Sequence, residues 1–68
     1  MKEYVVIRIA NKPDGSLAAP VQAFETATEA WKEFYRLCGL AVDSVNISDS
    51  VSILTRQGFE IDHKCFEH

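Results

Sequence analysis

The chain has 68 residues, which is the length of one domain and lies near the lower limit for a self-sufficient hydrophobic core. It carries 7 Lys and Arg residues against 10 Asp and Glu residues, a formal net charge of −3. This balance argues against a nucleic-acid backbone or an anionic membrane surface as partner, because both require clustered cations. No apolar stretch approaches the about 20 residues that span a bilayer, and the start of the sequence lacks a signal-peptide layout.

Residues 3–10 (EYVVIRIA) have the β-branched and aromatic composition of a strand. Alternating side chains divide into two faces, with Val5, Ile7 and Ile9 on one and Tyr4, Val6, Arg8 and Ala10 on the other. Because both faces are largely apolar, the strand is predicted to be central, with its second face covered by something outside the chain.

A hairpin is predicted next. Residues 11–16 (NKPDGS) are typical of a turn, since Pro presets the backbone, Asp bonds its own main chain and Gly permits positive φ. Residues 17–25 form the return strand, interrupted by Pro20. Proline lacks the N–H that a sheet needs, so this strand is expected to be an edge or to bulge.

The helix is predicted from Ala27 to Val42, with Thr26 and Glu29 forming a capping box. Gly39 lowers the helical propensity of the last turns. Apolar residues recur at spacings of three and four, at Ala27, Ala30, Trp31, Phe34, Leu37, Cys38, Ala41 and Val45.

Two further strands are predicted at 51–55 and 59–66, joined by a turn at 56–58, after an irregular segment anchored by Val45 and Ile47. In the last strand two sets of side chains alternate, with Phe59, Ile61, His63 and Cys65 on one face and Glu60, Asp62 and Lys64 on a solvated one.

These elements predict a single α+β domain over residues 1–68, in the order ββαββ, with one four-stranded, mainly antiparallel sheet and one helix packed on one face. No second helix is predicted to cover the other face, and an uncovered apolar sheet face marks an interface. The candidates for that face are Tyr4, Val6, Val21 or Phe24, and Phe66. With Arg8 and with Tyr35 at the helix flank, the predicted interface residues are Tyr4, Val6, Arg8, Phe24, Tyr35 and Phe66.

The C-terminal segment DHKCFEH is the one stretch that resembles a reactive site. His63 and Cys65 point the same way on a strand, His68 can fold back, and Cys38 is a conceivable fourth metal ligand. The paired spacings of zinc sites are absent, and nothing marks an oxyanion hole or a substrate cleft. We therefore predict no catalytic, cofactor-binding or metal-binding residues, and two reduced thiols rather than a disulfide.

Four segments carry a resemblance: YVVIRIANKPDGS, FETATEAWKEFY, LTRQGFE and HKCFEH. Together they resemble small uncharacterised proteins of tailed bacteriophages and prophages of gut bacteria. The resemblance implies a phage origin and a location in the cytoplasm of the bacterial host, with the virion as the other option. It implies no reaction and no functional residues.

The resulting hypothesis is a non-enzymatic interaction or assembly module that binds a protein partner or itself, without nucleic acid, membrane or cofactor. The alternative is a phage counter-defence protein. As an acidic inhibitor of a host nuclease or sensor it requires acidic residues gathered on one surface, namely Asp14, Glu60, Asp62 and Glu67. As a sponge for a nucleotide signal it requires a pocket that receives Arg8, Arg36 or Arg56. A metal-dependent or thiol enzyme is the third possibility.

Overall fold

A computed structural model describes residues 1–67 and shows an α+β fold with one helix and five strands in that part of the chain. In chain order the elements are β1 (Tyr4–Asn11), β2 (Leu17–Ala18), β3 (Val21–Phe24), α1 (Ala27–Val42), β4 (Ser48–Thr55) and β5 (Glu60–Glu67). The predicted fold class is confirmed. The sheet has five strands rather than four because the return strand of the first hairpin is split.

The sheet is antiparallel throughout and is built around β1 and β4. β1 pairs with β4 along its whole length on one side, and with β2 and β3 on the other. β5 pairs with β4 and forms the opposite edge. The predicted central position of the first strand is therefore confirmed.

Turn chemistry and proline shape the first hairpin as the sequence predicts. Gly15 has φ of 89°, and Asp14 Oδ1 accepts a hydrogen bond from the Ser16 amide at 2.9 Å. Pro20 separates β2 from β3, while its carbonyl accepts from the Arg8 amide at 3.1 Å. The return strand thus stays on the edge of the sheet, where a missing N–H leaves no buried group unpaired.

The helix has the predicted bounds and the predicted cap. The Glu29 amide donates to Thr26 Oγ1 at 3.2 Å, and the Thr26 hydroxyl donates to Glu29 Oε1 at 2.9 Å. The carboxylate therefore bonds the capping hydroxyl, whereas a full capping box directs it to the backbone N–H of the cap residue. Gly39 lies inside the helix and does not end it.

One hydrophobic core lies between α1 and the sheet. Phe34, Val51 and Ile53 are fully buried in it, and the Trp31 ring meets Phe34 edge-on with 5.4 Å between centroids. The buried members of this core are Val6, Ala30, Phe34, Leu37, Ala41, Val51 and Ile53. The helical periodicity predicted the four α1 members of this set correctly.

The predicted orientation of the sheet is wrong. Tyr4, Val6, Phe24 and Phe66 were expected on the uncovered face, but Val6 is 1% exposed in the core and the other three pack against that core beneath α1. The register between β1 and β4 explains which face of the sheet α1 covers, because Val6 lies opposite Ile53. Ile7, Ile9 and Asn11 of β1 lie opposite serines of β4, so the helix covers the other face, on which the centres of both strands are apolar.

The predicted faces are also wrong at the start of the last strand, because a bulge there shifts its register. Leu54 lies opposite Glu60, but the next residue, Ile53, lies opposite Asp62. An extra residue on one strand changes which side the following side chains face. Asp62 and Lys64 consequently lie on the helix side, and Glu60 lies on the same side as His63 and Cys65, while the turn residue Phe59 is 74% exposed.

The two predicted anchors between α1 and β4 are not buried. Val45 is 87% exposed and Ile47 is 51% exposed. Leu40 and Val42, at the end of the helix, are exposed as well. The segment is instead fixed by polar contacts, such as the Asn46 amide donating to Ser44 Oγ at 2.9 Å.

Candidate interaction surface

The outer face is defined here as the side of the sheet that faces away from α1. Because side chains alternate along a strand, Val5, Ile7 and Ile9 lie on it, opposite to the buried Val6. Cross-strand pairing places Val21 beside Ile7 and Leu54 beside Val5. No described element of the chain packs over this side, so its side chains form a surface rather than a core.

The outer face is divided into two halves of different character. We call the first the apolar half, which lies on β1, β2, β3 and the end of β4 and comprises Val5, Ile7, Ile9, Leu17, Val21, Ala23 and Leu54. We call the second the polar half, which lies on β4 and β5 and comprises Ser48, Ser50, Ser52, Glu60, His63, Cys65 and Glu67. The prediction of an uncovered apolar face thus describes one half of it.

The apolar half is exposed most strongly along the edge made by β2 and β3. Leu17 is 69% exposed, Val21 is 60% exposed and Ile9 is 45% exposed. Val5 and Ile7 are half-buried because neighbouring strands flank them on both sides. Contiguous exposed apolar side chains of this kind are typical of sites that bind another molecule.

Of the predicted interface residues that do not line the core, Tyr35 lies where the sequence placed it. It is 62% exposed on the helix flank, and its ring stacks on Trp31 with 5.7 Å between centroids. This aromatic surface lies on the opposite side of the protein from the outer face, so Tyr35 and the apolar half cannot contact the same flat partner.

Arg8 is occupied by a structural ion pair. Its Nε and Nη2 donate to Asp49 Oδ1 at 3.1 and 2.9 Å, and Asn46 Nδ2 donates to the same oxygen at 3.1 Å. Burial alone raises the pKa of the Asp49 carboxyl, but the bonds from Arg8, Asn46 and Ser44 outweigh it and hold the pKa below its ordinary value. No local sequence pattern indicates that Arg8 and Asp49 are partners, because the two residues are distant along the chain.

The polar half contains a chain of hydrogen-bonded side chains. Ser52 Oγ lies 2.7 Å from His63 Nδ1, and His63 Nε2 lies 2.8 Å from Cys65 Sγ. Glu60 Oε1 lies 3.2 Å from the same Nδ1 atom. The predicted common face of His63 and Cys65 is confirmed, whereas Ser52 and Glu60 were not predicted to join them.

Among the candidate metal ligands, Cys38 lies apart from His63 and Cys65. Cys38 belongs to α1 and packs against the core, where burial raises the pKa of its thiol, whereas Cys65 lies on the outer face. His68 lies outside the described residues. Within residues 1–67 no three His, Cys, Asp or Glu side chains are grouped so that they can hold a metal ion.

A shallow cleft of about 130 Å³ lies at the end of the sheet where β4 begins. It is smaller than the several hundred Å³ typical of sites for nucleotide-sized ligands. Its lining contains no arginine, and consists of Ile9, Asn11, Ser48, Asp49, Ser50, Cys65, Phe66 and Glu67.

The charged residues of the alternative hypotheses are dispersed. Asp14 lies in the turn beyond β1, at the edge opposite β5, and Asp62 faces the helix side, so that only Glu60 and Glu67 of the four acidic residues share the outer face. Arg36 pairs with Glu33 on the helix surface, and Arg56 Nη1 lies 3.8 Å from Glu3 Oε1. These side chains create neither one acidic surface nor one basic pocket in the described part of the chain.

Comparisons with protein-family models, with curated proteins and with solved structures found no match to this chain. The resemblance to phage proteins therefore stays a prediction. Within residues 1–67 no helix is long and apolar enough to cross a membrane.

Proposed function

We propose that this chain is a non-enzymatic interaction module that associates with a second copy of itself through the apolar half of its outer face. The observation that carries the proposal is the continuous set of exposed apolar side chains on a sheet face that no described element covers. A domain of this size has a small core, so burial of a second apolar surface adds stability that the isolated fold lacks.

A second copy fits the chemistry of the patch. The chain has a net charge of −3, so two copies repel each other unless they meet where charge is absent. The apolar half contains no charged residue, and its aliphatic side chains are self-complementary across a two-fold axis. The opposite edge is less suited to strand addition, because β5 carries Glu60, Asp62, Lys64 and Glu67.

The size of the face sets the expected strength. Strands of eight residues at the usual rise and spacing give an outer face of about 27 Å by about 19 Å, or about 500 Å² per copy, of which the apolar half is roughly 250 Å². Two copies that meet through this half bury roughly 500 Å², which is below the usual range for specific, stable interfaces. We therefore expect weak, rapidly exchanging association with a Kd in the high micromolar range or above.

A phage origin, with the bacterial cytoplasm or the virion as location, completes the proposal and is supported by the sequence resemblance alone. The counter-defence alternative receives no comparable support, since its acidic and basic residues are dispersed.

The test is sedimentation velocity of the purified chain from low micromolar to near-millimolar concentration. Ile9→Lys and Val21→Lys place a cation on the exposed part of the apolar half, while Val45→Lys makes the same change at an 87% exposed site away from it. We expect a concentration-dependent increase in mass for the unmodified chain and for Val45→Lys, and a monomer for Ile9→Lys and Val21→Lys.

Two results contradict the proposal. One is a chain that stays monomeric throughout the concentration range. The other is loss of association in Val45→Lys but not in Ile9→Lys, which assigns contact to the exposed apolar residues near the end of α1.

A further inference from the structure

The polar half of the outer face holds a thiol beside a base. Cys65 is exposed, and its Sγ lies 2.8 Å from His63 Nε2. When Nε2 accepts from the thiol, the ring proton lies on Nδ1, which then donates to Ser52 Oγ at 2.7 Å or to Glu60 Oε1 at 3.2 Å. The imidazole is thus held on both sides, an arrangement that activates a nucleophilic sulfur.

The shallow cleft described above reaches Cys65 and supplies space beside the sulfur. Its about 130 Å³ corresponds to roughly four water molecules at about 30 Å³ each, enough for a few heavy atoms of a small reactant. Glu67 lines the cleft, and Glu60 lies on the same face of β5. The charge near Cys65 on this face is therefore negative, which favours a cationic reactant over an anionic one.

We propose that Cys65 is a site of thiol–disulfide exchange with small cationic disulfides, in which His63 accepts the thiol proton. Cys65 Sγ attacks one sulfur of the disulfide, a new S–S bond forms, and the original S–S bond breaks. Cys65 is oxidised to a mixed disulfide, and the other half of the reactant is reduced and leaves as a thiolate, which takes up a proton. The reaction is one stoichiometric modification per chain and does not depend on self-association.

Cys38 serves as an internal comparison. It is half-buried on the side of α1 that packs against the core, and burial raises the pKa of its thiol, so less of the reactive thiolate forms there. The two cysteines therefore differ in exposure and in the presence of a base, within one protein and one sample.

The experiment measures second-order rate constants by intact-protein mass spectrometry at neutral pH and low micromolar concentration. Cys38→Ser isolates Cys65, and Cys65→Ser isolates Cys38. The probes are cystamine, which is cationic, and 3,3′-dithiodipropionate, which is anionic and of similar length. We expect Cys65 to react at least about tenfold faster than Cys38 with cystamine, and faster with cystamine than with the anionic probe.

His63→Gln, made in the Cys38→Ser background, should slow the reaction of Cys65 by at least about tenfold, which is less than the about 100-fold or more of an enclosed catalytic base because this site is open to water. The same change should leave the rate of Cys38 unaltered. Ser52→Ala removes a partner of Nδ1 and should slow Cys65 by a smaller factor, and it carries the test if His63→Gln lowers the far-ultraviolet circular dichroism. Glu60→Gln should lower the ratio of the rate constant with cystamine to the rate constant with the anionic probe, because it removes a negative charge from this face.

The proposal is overturned if Cys65 reacts no faster than a short unstructured cysteine peptide, or if neither His63→Gln nor Ser52→Ala slows it in a folded protein. A preference for the anionic probe overturns the assigned class of reactant. All rates are measured at concentrations where the chain is a monomer. A negative result for the thiol reaction is therefore distinguishable from a negative result for self-association.

Discussion

The ion pair between Arg8 and Asp49 yields a prediction about both stability and its pH dependence. The Asp49 side chain is fully buried and that of Arg8 is 18% exposed, so Arg8→Met leaves a carboxylate out of contact with water and short of two hydrogen bonds. Removing one partner of a buried pair costs about 3–5 kcal/mol. We expect about 3 kcal/mol at neutral pH, the low end, because the guanidinium lies near the surface.

That loss is large for this protein. A domain of 68 residues at typical values has a total free energy of unfolding of roughly 3–10 kcal/mol. Urea unfolding followed by circular dichroism measures the loss directly. The double variant Arg8→Met with Asp49→Leu removes both charges and should regain most of the stability, because no ion is left buried alone.

The sign of the pH effect distinguishes this explanation from a loss of packing. In the unmodified chain the pKa of Asp49 lies below its unfolded value of about 3.9. The ionised carboxylate therefore stabilises the fold fully above that pH, and this stabilisation is lost as the pH falls through the folded pKa. In Arg8→Met the hydrogen bonds and charge of Arg8 are gone while burial remains, so the pKa of Asp49 rises above its value in the unmodified chain, and part of the penalty present at neutral pH is relieved on acidification. The cost of Arg8→Met should therefore be smaller at pH 4 than at pH 7.

A cost below about 1 kcal/mol at neutral pH, or an equal cost at both pH values, refutes this account of the pair. If Arg8→Met is unfolded at neutral pH, the double variant with Asp49→Leu carries the test, because the same reasoning requires it to be folded there.

Two further predictions concern packing and backbone conformation. Phe34→Ala removes a fully buried ring and should lower the free energy of unfolding, measured in urea, by about 3–5 kcal/mol. Tyr35→Ala, at a site that is 62% exposed, should lower it by less than about 1 kcal/mol. Similar losses in the two variants would contradict the burial assigned to Phe34. Gly39 lies inside α1 with open space around it, so Gly39→Ala should raise Tm by about 4 °C. Gly58 has φ of 93°, so Gly58→Ala should lower Tm by about as much or more. If both variants shift Tm in the same direction, this conformational explanation is refuted.

The helix was predictable because its signals are local. Thr26 and Glu29 mark its start, and apolar residues at helical spacing mark the face that is buried. The turn at Gly15 and the interruption at Pro20 were predictable for the same reason, since each depends on the backbone preferences of one or two residues.

The orientation of the sheet was not predictable from β1 alone. Both of its faces are apolar, and the decisive information is the register with β4, which sets Val6 beside Ile53 and Ile7 beside Ser52. Register between strands so distant in sequence is determined by the packed core as a whole. The bulge near Ile53 and Leu54 had the same effect on β5, moving Glu60 to the side of His63.

The candidate site was predictable only in part. An uncovered apolar face followed from having one helix for one sheet, but its members depended on the orientation. His63 and Cys65 share a face because they are two residues apart on a strand, whereas the contact with Ser52 comes from the pairing of β4 and β5. The contact between His63 and Cys65 was therefore predictable from local spacing, whereas the contact between Ser52 and His63 depends on tertiary structure.

The order of the strands has a consequence for how the chain acquires its structure. β1 and β4 form the longest strand pair, yet β2, β3 and α1 lie between them in sequence. Closing so long a loop slows folding relative to forming local contacts. During synthesis the first hairpin and α1 emerge from the ribosome before β4 exists, so one side of β1 stays without its partner until most of the protein has been made.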